Sequence, residues 1–207
     1  QVRGGDYAKA SESSKAASLG GEFISRDGKL VLQTIYQTDP DLPSIASPLN
    51  SPGVELKSGD TLLAVNGKAV VSVLDLHQVL QQQQGQQVLL QLERDGKAFK
   101  KVVVPVSPLQ EQTLRYQHWV QQKKHQVEMQ GNQQLGYLHL YAMTPNDISN
   151  FAREFYANVD KPGLIIDVRR NRGGNIDSWV IEKLLRRVWA FWQPTQGKAY
   201  GNMQQTF

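Results

Sequence analysis

The composition of this chain is that of a folded protein. Its 207 residues are 40% hydrophobic and 20% charged, which is too apolar for a disordered chain and sufficient for one large domain or two small ones. The absence of cysteine excludes disulfides and thiolate metal sites. The net charge is only +4 with scattered cations, and no apolar run approaches the roughly 20 residues of a membrane helix. We therefore expect neither nucleic acid nor a membrane as a partner.

The first half of the chain has the pattern of a β-rich module with one helix. Residues 1–18 are small and polar and are predicted to form a linker or arm. A helix is predicted from Leu74, where apolar residues recur at roughly helical spacing. Strands are predicted around three turn pairs, Asp27-Gly28, Asn66-Gly67 and Asp95-Gly96, of which Asn-Gly is the strongest short hairpin signal. The predicted strands are Leu19–Ile24, Lys29–Tyr36, Thr61–Val65 and two within Gln86–Val106. This module is placed at residues 19–107.

The second half has the alternating order of an α/β layer. A polar segment with spaced apolar residues, 109–130, predicts a surface helix, and residues 134–143 alternate like a strand. Thr144-Pro145 forms a good helix start, and apolar residues that include Phe151 and Phe155 then recur at the spacing of one helix face. The continuous apolar run at residues 163–168 predicts a strand covered on both faces, as in parallel sheets. We therefore predict parallel strands between helices, within a second domain at residues 108–207.

Two adjacent glycines, Gly173 and Gly174, lie between that apolar strand and a further amphipathic helix. The dinucleotide and P-loop fingerprints are absent from the sequence. A strand-to-helix turn presents backbone N–H groups at the positive end of a helix dipole, and glycine permits close approach. These are the properties of an oxyanion hole. On physical grounds alone, a tight turn made for packing is the simpler interpretation.

Three segments resemble one peptidase family. "IIDVRRNRGGN" (Ile165–Asn175), followed by a helix, is similar to a segment of the tricorn and C-terminal-processing serine peptidases. "SPLNSPGVELKSGDTLLAVNGKAV" (Ser47–Val70) resembles the PDZ module that tricorn-type peptidases carry within their catalytic core, and Leu114–Glu128 resembles the family's segment after that module. The resemblance implies an α+β PDZ-like module followed by part of an α/β, crotonase-like peptidase core.

The same resemblance implies a serine peptidase that acts on peptides, needs no cofactor and forms a homo-oligomer through its core. A cytoplasmic location is expected, or a periplasmic or secreted one if a signal peptide precedes the chain. In that family the histidine precedes the PDZ module and the serine follows the glycine loop. Both are thus expected outside this chain, which is expected to be inactive alone.

The role that the resemblance carries onto this chain is oxyanion stabilisation by a backbone N–H of Gly173 or Gly174. Arg172 departs from the family pattern, which commonly has another glycine there. Asp167 is expected to orient the loop, and Ser178 to cap or to face solvent rather than to act as a nucleophile. The histidines are expected to be packing or solvent-facing residues: His77, His118, His125 and His139.

A non-catalytic peptide-binding module is the alternative. PDZ domains bind an extended peptide by strand addition and hold its carboxylate on backbone N–H groups. A plain glycine turn is an equally good interpretation of the candidate carboxylate loop, which consists of Leu19, Gly20, Gly21, Glu22 and Phe23. Four aromatic residues mark either an assembly surface or an ordinary core: Trp179, Trp189, Phe191 and Trp192.

Overall fold

The computed structural model describes residues 16–185 and 191–201. The chain divides into two compact units, Gln1–Gln121 and Gln122–Phe207. The predicted linker at residues 1–18 lies largely outside the described residues. Within the described ranges, no helix combines the length and the apolar character that a membrane crossing requires.

The first unit is built on an antiparallel sheet of six strands. They are β1 (Gly21–Arg26), β2 (Lys29–Ile35), β3 (Thr61–Val65), β4 (Lys68–Ala69), β5 (Val88–Arg94) and β6 (Lys97–Val103). At the three predicted turns both residues have positive φ, as two-residue hairpin turns require; for example, Asn66 has φ 49° and Gly67 has φ 78°. The strand order is β1-β2-β3-β5-β6, and β4 pairs with β3.

One helix of this unit, α1 (Val73–Val79), packs on the sheet. Ser72 begins it with a capping box, because its hydroxyl accepts the Asp75 N–H while the Asp75 carboxylate accepts the Ser72 N–H. Leu76 and Leu80 are buried in the core of the unit, whereas Leu74 is exposed. The helix therefore buries one narrow face and leaves the other to solvent.

An ion pair between the buried Asp60 and the partly exposed Arg94 joins β5 to the loop before β3. The Asp60 carboxylate, whose side chain is 1% exposed, accepts two hydrogen bonds from the Arg94 guanidinium at 2.6 and 2.7 Å and one from the Lys57 N–H at 2.8 Å. Burial raises the pKa of Asp60, but the bonds from Arg94 and Lys57 outweigh it and lower that pKa.

Asp60→Ala is expected to destabilise the protein by about 2 to 3 kcal/mol, because three charge-assisted hydrogen bonds are lost from a buried site. Urea unfolding of the two proteins measures this difference. Glu93→Ala is the matched control, since Glu93 pairs with Lys29 at 3.4 Å on the surface of the same sheet and such pairs contribute at most about 1 kcal/mol. Equal losses in both variants would contradict the prediction.

A long helix, α2 (Pro108–Gln130), follows the sheet, and the two units divide within it, after Gln121. In the first unit its Leu114 is buried, and His118 packs on the ring of Tyr36 with a centroid distance of 5.7 Å. The Nδ1 atom of His118 accepts the Gln37 N–H at 3.1 Å. This bond requires Nδ1 to be unprotonated, so the neutral ring is the form that the fold holds.

Acidification is expected to weaken the first unit through His118. Burial lowers its pKa below the usual value, although the nearby Glu22 opposes the shift. A depressed histidine pKa adds stability above the unfolded pKa of about 6.5, and that stability is lost as pH falls towards the folded value. Urea unfolding from neutral to about pH 5 should show this loss for the native protein and a smaller one for His118→Gln. Parallel pH profiles would contradict the assignment.

The second unit contains the predicted parallel strands. β7 (Leu135–His139) pairs in parallel with β8 (Gly163–Asp167) in the register His139 opposite Asp167. The connection carries α3 (Ile148–Tyr156), and α4 (Asp177–Leu185) follows the glycines. Two short strands, β9 (Phe191–Trp192) and β10 (Tyr200–Gly201), pair with each other. The order of helices and strands is thus the predicted one.

The core of this unit is built by one face of α3. Phe151 and Phe155, one helical turn apart, stack with their ring centroids at 5.4 Å, and Trp179 of α4 meets Phe151 edge-on at 5.5 Å. The other buried members of this core are Leu138, Leu140, Ile176 and Val180. Burial of these side chains fixes α3 and α4 against the β7–β8 pair.

Two sequence-based expectations about these strands were wrong. β7 ends at His139 rather than running to Met143. Beyond it, Leu140 bonds to Asp167 at the end of β8, and Tyr141 and Met143 bond to the loop after β8. The apolar strand β8 is not covered on both faces within the described residues, since Ile165 is 41% exposed. An uninterrupted apolar run shows that burial of these side chains is favourable. It does not show which part of the protein covers them.

Candidate functional site

The loop between β8 and α4 is held by its own side chains and by the segment after β7. Asn171 is the central residue. Its amide nitrogen donates to the Leu140 carbonyl at 2.7 Å, and its Oδ1 accepts the Gly173 N–H at 2.6 Å. The second bond forms an Asx turn, in which an asparagine caps the N–H two residues later. The sequence signal for this role is an asparagine two positions before the first glycine, and the sequence-based prediction did not include it.

Gly174 is required by sterics. A Cβ on this residue would lie 2.0 Å from the carbonyl oxygen of Met143, and its φ is +144°, which disfavours any other residue. By contrast, a Cβ on Gly173 would meet no atom within 4 Å, although φ is +76°. Glycine is therefore required at position 174 because any side chain would clash with Met143. At Gly173 only the positive φ favours glycine.

The backbone around Gly174 forms a single parallel bridge with Met143. Met143 donates its N–H to the Gly173 carbonyl at 2.8 Å and accepts the Asn175 and Ile176 N–H groups at 2.7 and 3.1 Å. In such a bridge the peptide groups of the central residue point away from the partner. Within the described ranges the Gly174 N–H makes no hydrogen bond, whereas the Gly173 N–H is bonded to Asn171. Gly174 thus presents the open donor.

A network of hydrogen bonds centred on the buried Asp167, at the end of β8, supports the loop. Asp167 accepts the Tyr137 hydroxyl at 2.9 Å and the Arg169 N–H at 3.0 Å, and also binds the Arg169 guanidinium. Those bonds from Arg169 hold the pKa of Asp167 well below its usual range, against the opposing effect of burial. Burial, together with Asp167, raises the pKa of the Tyr137 hydroxyl. A carboxylate this acidic is a fixed anion that orients the turn and a poor general base.

The four histidines are exposed or are engaged in hydrogen bonds of their own. His139 is buried, and its Nε2 atom lies 2.7 Å from the Arg169 carbonyl. His77 and His125 are exposed on helices, and Ser178 is exposed in the first turn of α4. Within residues 16–185 and 191–201, no three His, Cys, Asp or Glu side chains converge as a metal-binding group does.

A groove of about 660 Å³ lies between β1 and α1 in the first unit. Its walls are Gly21 to Ile24 of β1 and residues of α1 such as Leu76 and His77. Among the described strands β1 pairs with β2 alone, so its second edge faces the groove. Tyr36 donates its N–H to the Gly20 carbonyl, and the alternation of an antiparallel ladder then turns the peptide groups of Gly21 towards the groove.

The five residues of the candidate carboxylate loop lie at the start of this edge. Leu19 and Gly20 are buried, and Glu22 and Phe23 line the groove. Both glycines are packed tightly, because a Cβ on Gly20 would meet the Ser47 hydroxyl at 2.6 Å and one on Gly21 the Thr34 carbonyl at 2.6 Å. Their small size is needed for packing whether or not a ligand binds.

The aromatic residues near α4 separate into two groups. Trp179 is half-buried in the core of the second unit. Phe191 and Trp192 are 70% and 62% exposed, and Trp189 lies outside the described residues.

Known proteins resemble this arrangement in both parts. The family described as "Tricorn protease PDZ domain" matches residues 18–111, and "Peptidase family S41" matches residues 134–207. "Tricorn protease homolog 1" of Streptomyces coelicolor is 34% identical over 81% of this chain, and "Tricorn protease homolog" of Saccharolobus solfataricus is 31% identical over 87%. The chain spans 16% and 17% of the length of these relatives.

A solved structure, "Crystal structure of the tricorn protease", superposes with a TM-score of 0.80 at 21% identity, covering 93% of this chain and 19% of that one. The molecule is therefore a PDZ-like β module followed by part of an α/β peptidase core, which confirms the predicted fold class. The chain belongs to the tricorn-type peptidases of family S41 and corresponds to a segment of such a protease.

Proposed function

We propose that this chain supplies the PDZ module and the oxyanion-binding loop of a serine peptidase that hydrolyses peptides. The observation that carries the proposal is the Gly174 N–H, which has no hydrogen-bond partner among the described residues. It lies just before the N-terminus of α4, where the helix dipole favours negative charge. The Asn171 and Met143 bonds hold it in place before any substrate binds.

In the proposed reaction the carbonyl oxygen of the scissile peptide becomes an oxyanion as a serine attacks the carbon. The Gly174 N–H donates to that oxygen, and a preorganised donor of this kind contributes roughly a 10² to 10³-fold rate enhancement. Asp167 keeps the loop in position through the Arg169 N–H. The serine and its histidine are proposed to come from other segments of the polypeptide, since the chain spans only 16% of the length of a related protease.

The proposed peptidase activity is tested on the whole polypeptide that the gene encodes. We expect hydrolysis of unstructured peptides, covalent labelling by a fluorophosphonate probe, and loss of both when the labelled serine is replaced by alanine. The 207-residue chain alone is expected to show neither. Hydrolysis that survives the serine substitution would rule out the serine mechanism.

Peptide binding by the groove is the second proposed function. The open edge of β1 beside α1 favours it, because an extended peptide can add to that edge as a further strand. Leu19 to Phe23 are the proposed binding residues. Peptides that bind by strand addition should lose binding when their alternate amides are N-methylated, while methylation of the intervening amides should be tolerated. Binding that is insensitive to both would exclude strand addition.

Assembly into a homo-oligomer is proposed for the second unit. Phe191 and Trp192 support it, because two adjacent aromatic side chains are costly to leave in water. Light scattering should report a mass above that of the monomer, and Phe191→Ser with Trp192→Ser should reduce it. A monomer at micromolar concentration would rule the proposal out.

A further inference from the structure

The groove beside β1 is closed where a PDZ domain would hold the end of its ligand. The first turns of α2 contribute Pro108, Glu111 and Arg115 to the groove wall. Leu114 of the same helix is buried, and its Cδ1 would lie 3.2 Å from a Cβ on Gly20. The candidate carboxylate loop is thus in contact with a helix of its own chain.

The backbone of this loop is also largely satisfied. The Gly20 N–H donates to the Ser18 hydroxyl at 3.1 Å. The Gly20 carbonyl accepts bonds from the Ser47 hydroxyl at 2.7 Å and the Tyr36 N–H at 3.2 Å. A peptide carboxylate would have to compete with the Ser18 hydroxyl for the Gly20 N–H. It would therefore gain less binding free energy here than from a loop whose backbone N–H groups are all unoccupied.

Charge at this end of the groove also disfavours an incoming anion. The Arg115 guanidinium binds Glu111 at 2.8 Å and Glu22 at 3.4 Å, and it lies over the Tyr36 ring at 5.1 Å. Two carboxylates share one guanidinium, so this ion triad carries a net charge of about −1. All three charged residues line the groove.

We propose that the groove binds an internal, extended peptide segment that carries a lysine or arginine beside Glu22 and Glu111, and that it does not require a free C-terminus. This inference rests on the proposed peptide binding and specifies the ligand. The open edge of β1 provides backbone pairing that any extended segment can use. The ion triad provides the selection, since a cation relieves the excess negative charge and a carboxylate increases it.

The experiment is a binding array of eight-residue peptides, randomised in sequence, each displayed with a blocked C-terminus and with a free one. The whole chain is the binding protein. We expect blocked peptides to bind and the bound set to be enriched in lysine and arginine at one position. Changing that cation to norleucine in the best peptide should raise Kd roughly three- to tenfold.

Two variants test the cause. Glu111→Gln removes one carboxylate of the triad and should reduce the preference for a cation, while Glu93→Gln on the far surface of the sheet should not. Ser18→Ala frees the Gly20 N–H and should increase binding of free C-termini relative to blocked ones. Binding of free C-termini alone, or enrichment that ignores charge, would overturn the inference. Absence of binding by every peptide would instead overturn the proposed peptide binding itself.

Discussion

Gly174→Ala is expected to abolish the loop conformation and, with it, peptide hydrolysis. The added methyl group would lie 2.0 Å from the Met143 carbonyl oxygen, which is backbone and cannot rotate away, and φ is +144°. Met143 anchors the loop through three hydrogen bonds, so its displacement breaks the bridge between the two segments. We expect a loss of about 3 kcal/mol in the free energy of unfolding and a fall of about 10²-fold or more in kcat.

Gly173→Ala provides the matched control, because its methyl group would meet no atom within 4 Å. The left-handed φ of +76° costs an alanine about 1 kcal/mol, and the Gly174 N–H should stay in place. Urea unfolding and steady-state kinetics on the gene-encoded polypeptide measure both quantities. If the two variants lost kcat equally, with KM unchanged, the assignment of the open donor to Gly174 would be wrong.

The sequence predicted those parts of the fold that depend on local chemistry. The hairpin pairs Asn66-Gly67 and Asp95-Gly96 need two positive φ values, which these residues adopt readily, and the structure has them there. The face of α3 follows from apolar spacing alone, and Phe151 and Phe155 are buried as expected. Such features depend on residues close together in the chain.

Features that depend on distant partners were not predictable. Nothing in the local pattern of Gly20 or Gly174 shows that Ser47 or Met143 will face the missing side chain. The difference between the two loop glycines has a local and a tertiary cause. Asn171, two residues earlier, occupies the Gly173 N–H, whereas the bridge to the distant Met143 turns the Gly174 N–H away. The sequence therefore identified the glycine loop as a candidate site, and the structure shows that, among the described residues, the Gly173 N–H has a hydrogen-bond partner and the Gly174 N–H has none.

Asp167→Ala is expected to cost about 3 kcal/mol of stability and to loosen the same loop. The carboxylate is 5% exposed and accepts the Tyr137 hydroxyl, the Arg169 N–H and the Arg169 guanidinium. Its removal leaves the buried Tyr137 hydroxyl without this acceptor, and an unsatisfied buried group is costly. Asp167→Asn is the matched variant, because it keeps an acceptor oxygen and the side-chain shape and removes only the charge.

The pH dependence of this carboxylate separates charge from shape. The folded pKa of Asp167 is depressed, so its charged form adds stability that is complete above the unfolded pKa of about 3.9 and is lost as pH falls through the folded value. The native protein should therefore be more stable than Asp167→Asn near neutral pH, and the gap should narrow below about pH 4. Urea unfolding at both pH values tests this. A gap that did not change with pH would mean that Asp167 acts through packing and hydrogen-bond geometry, and that its charge does not hold the loop.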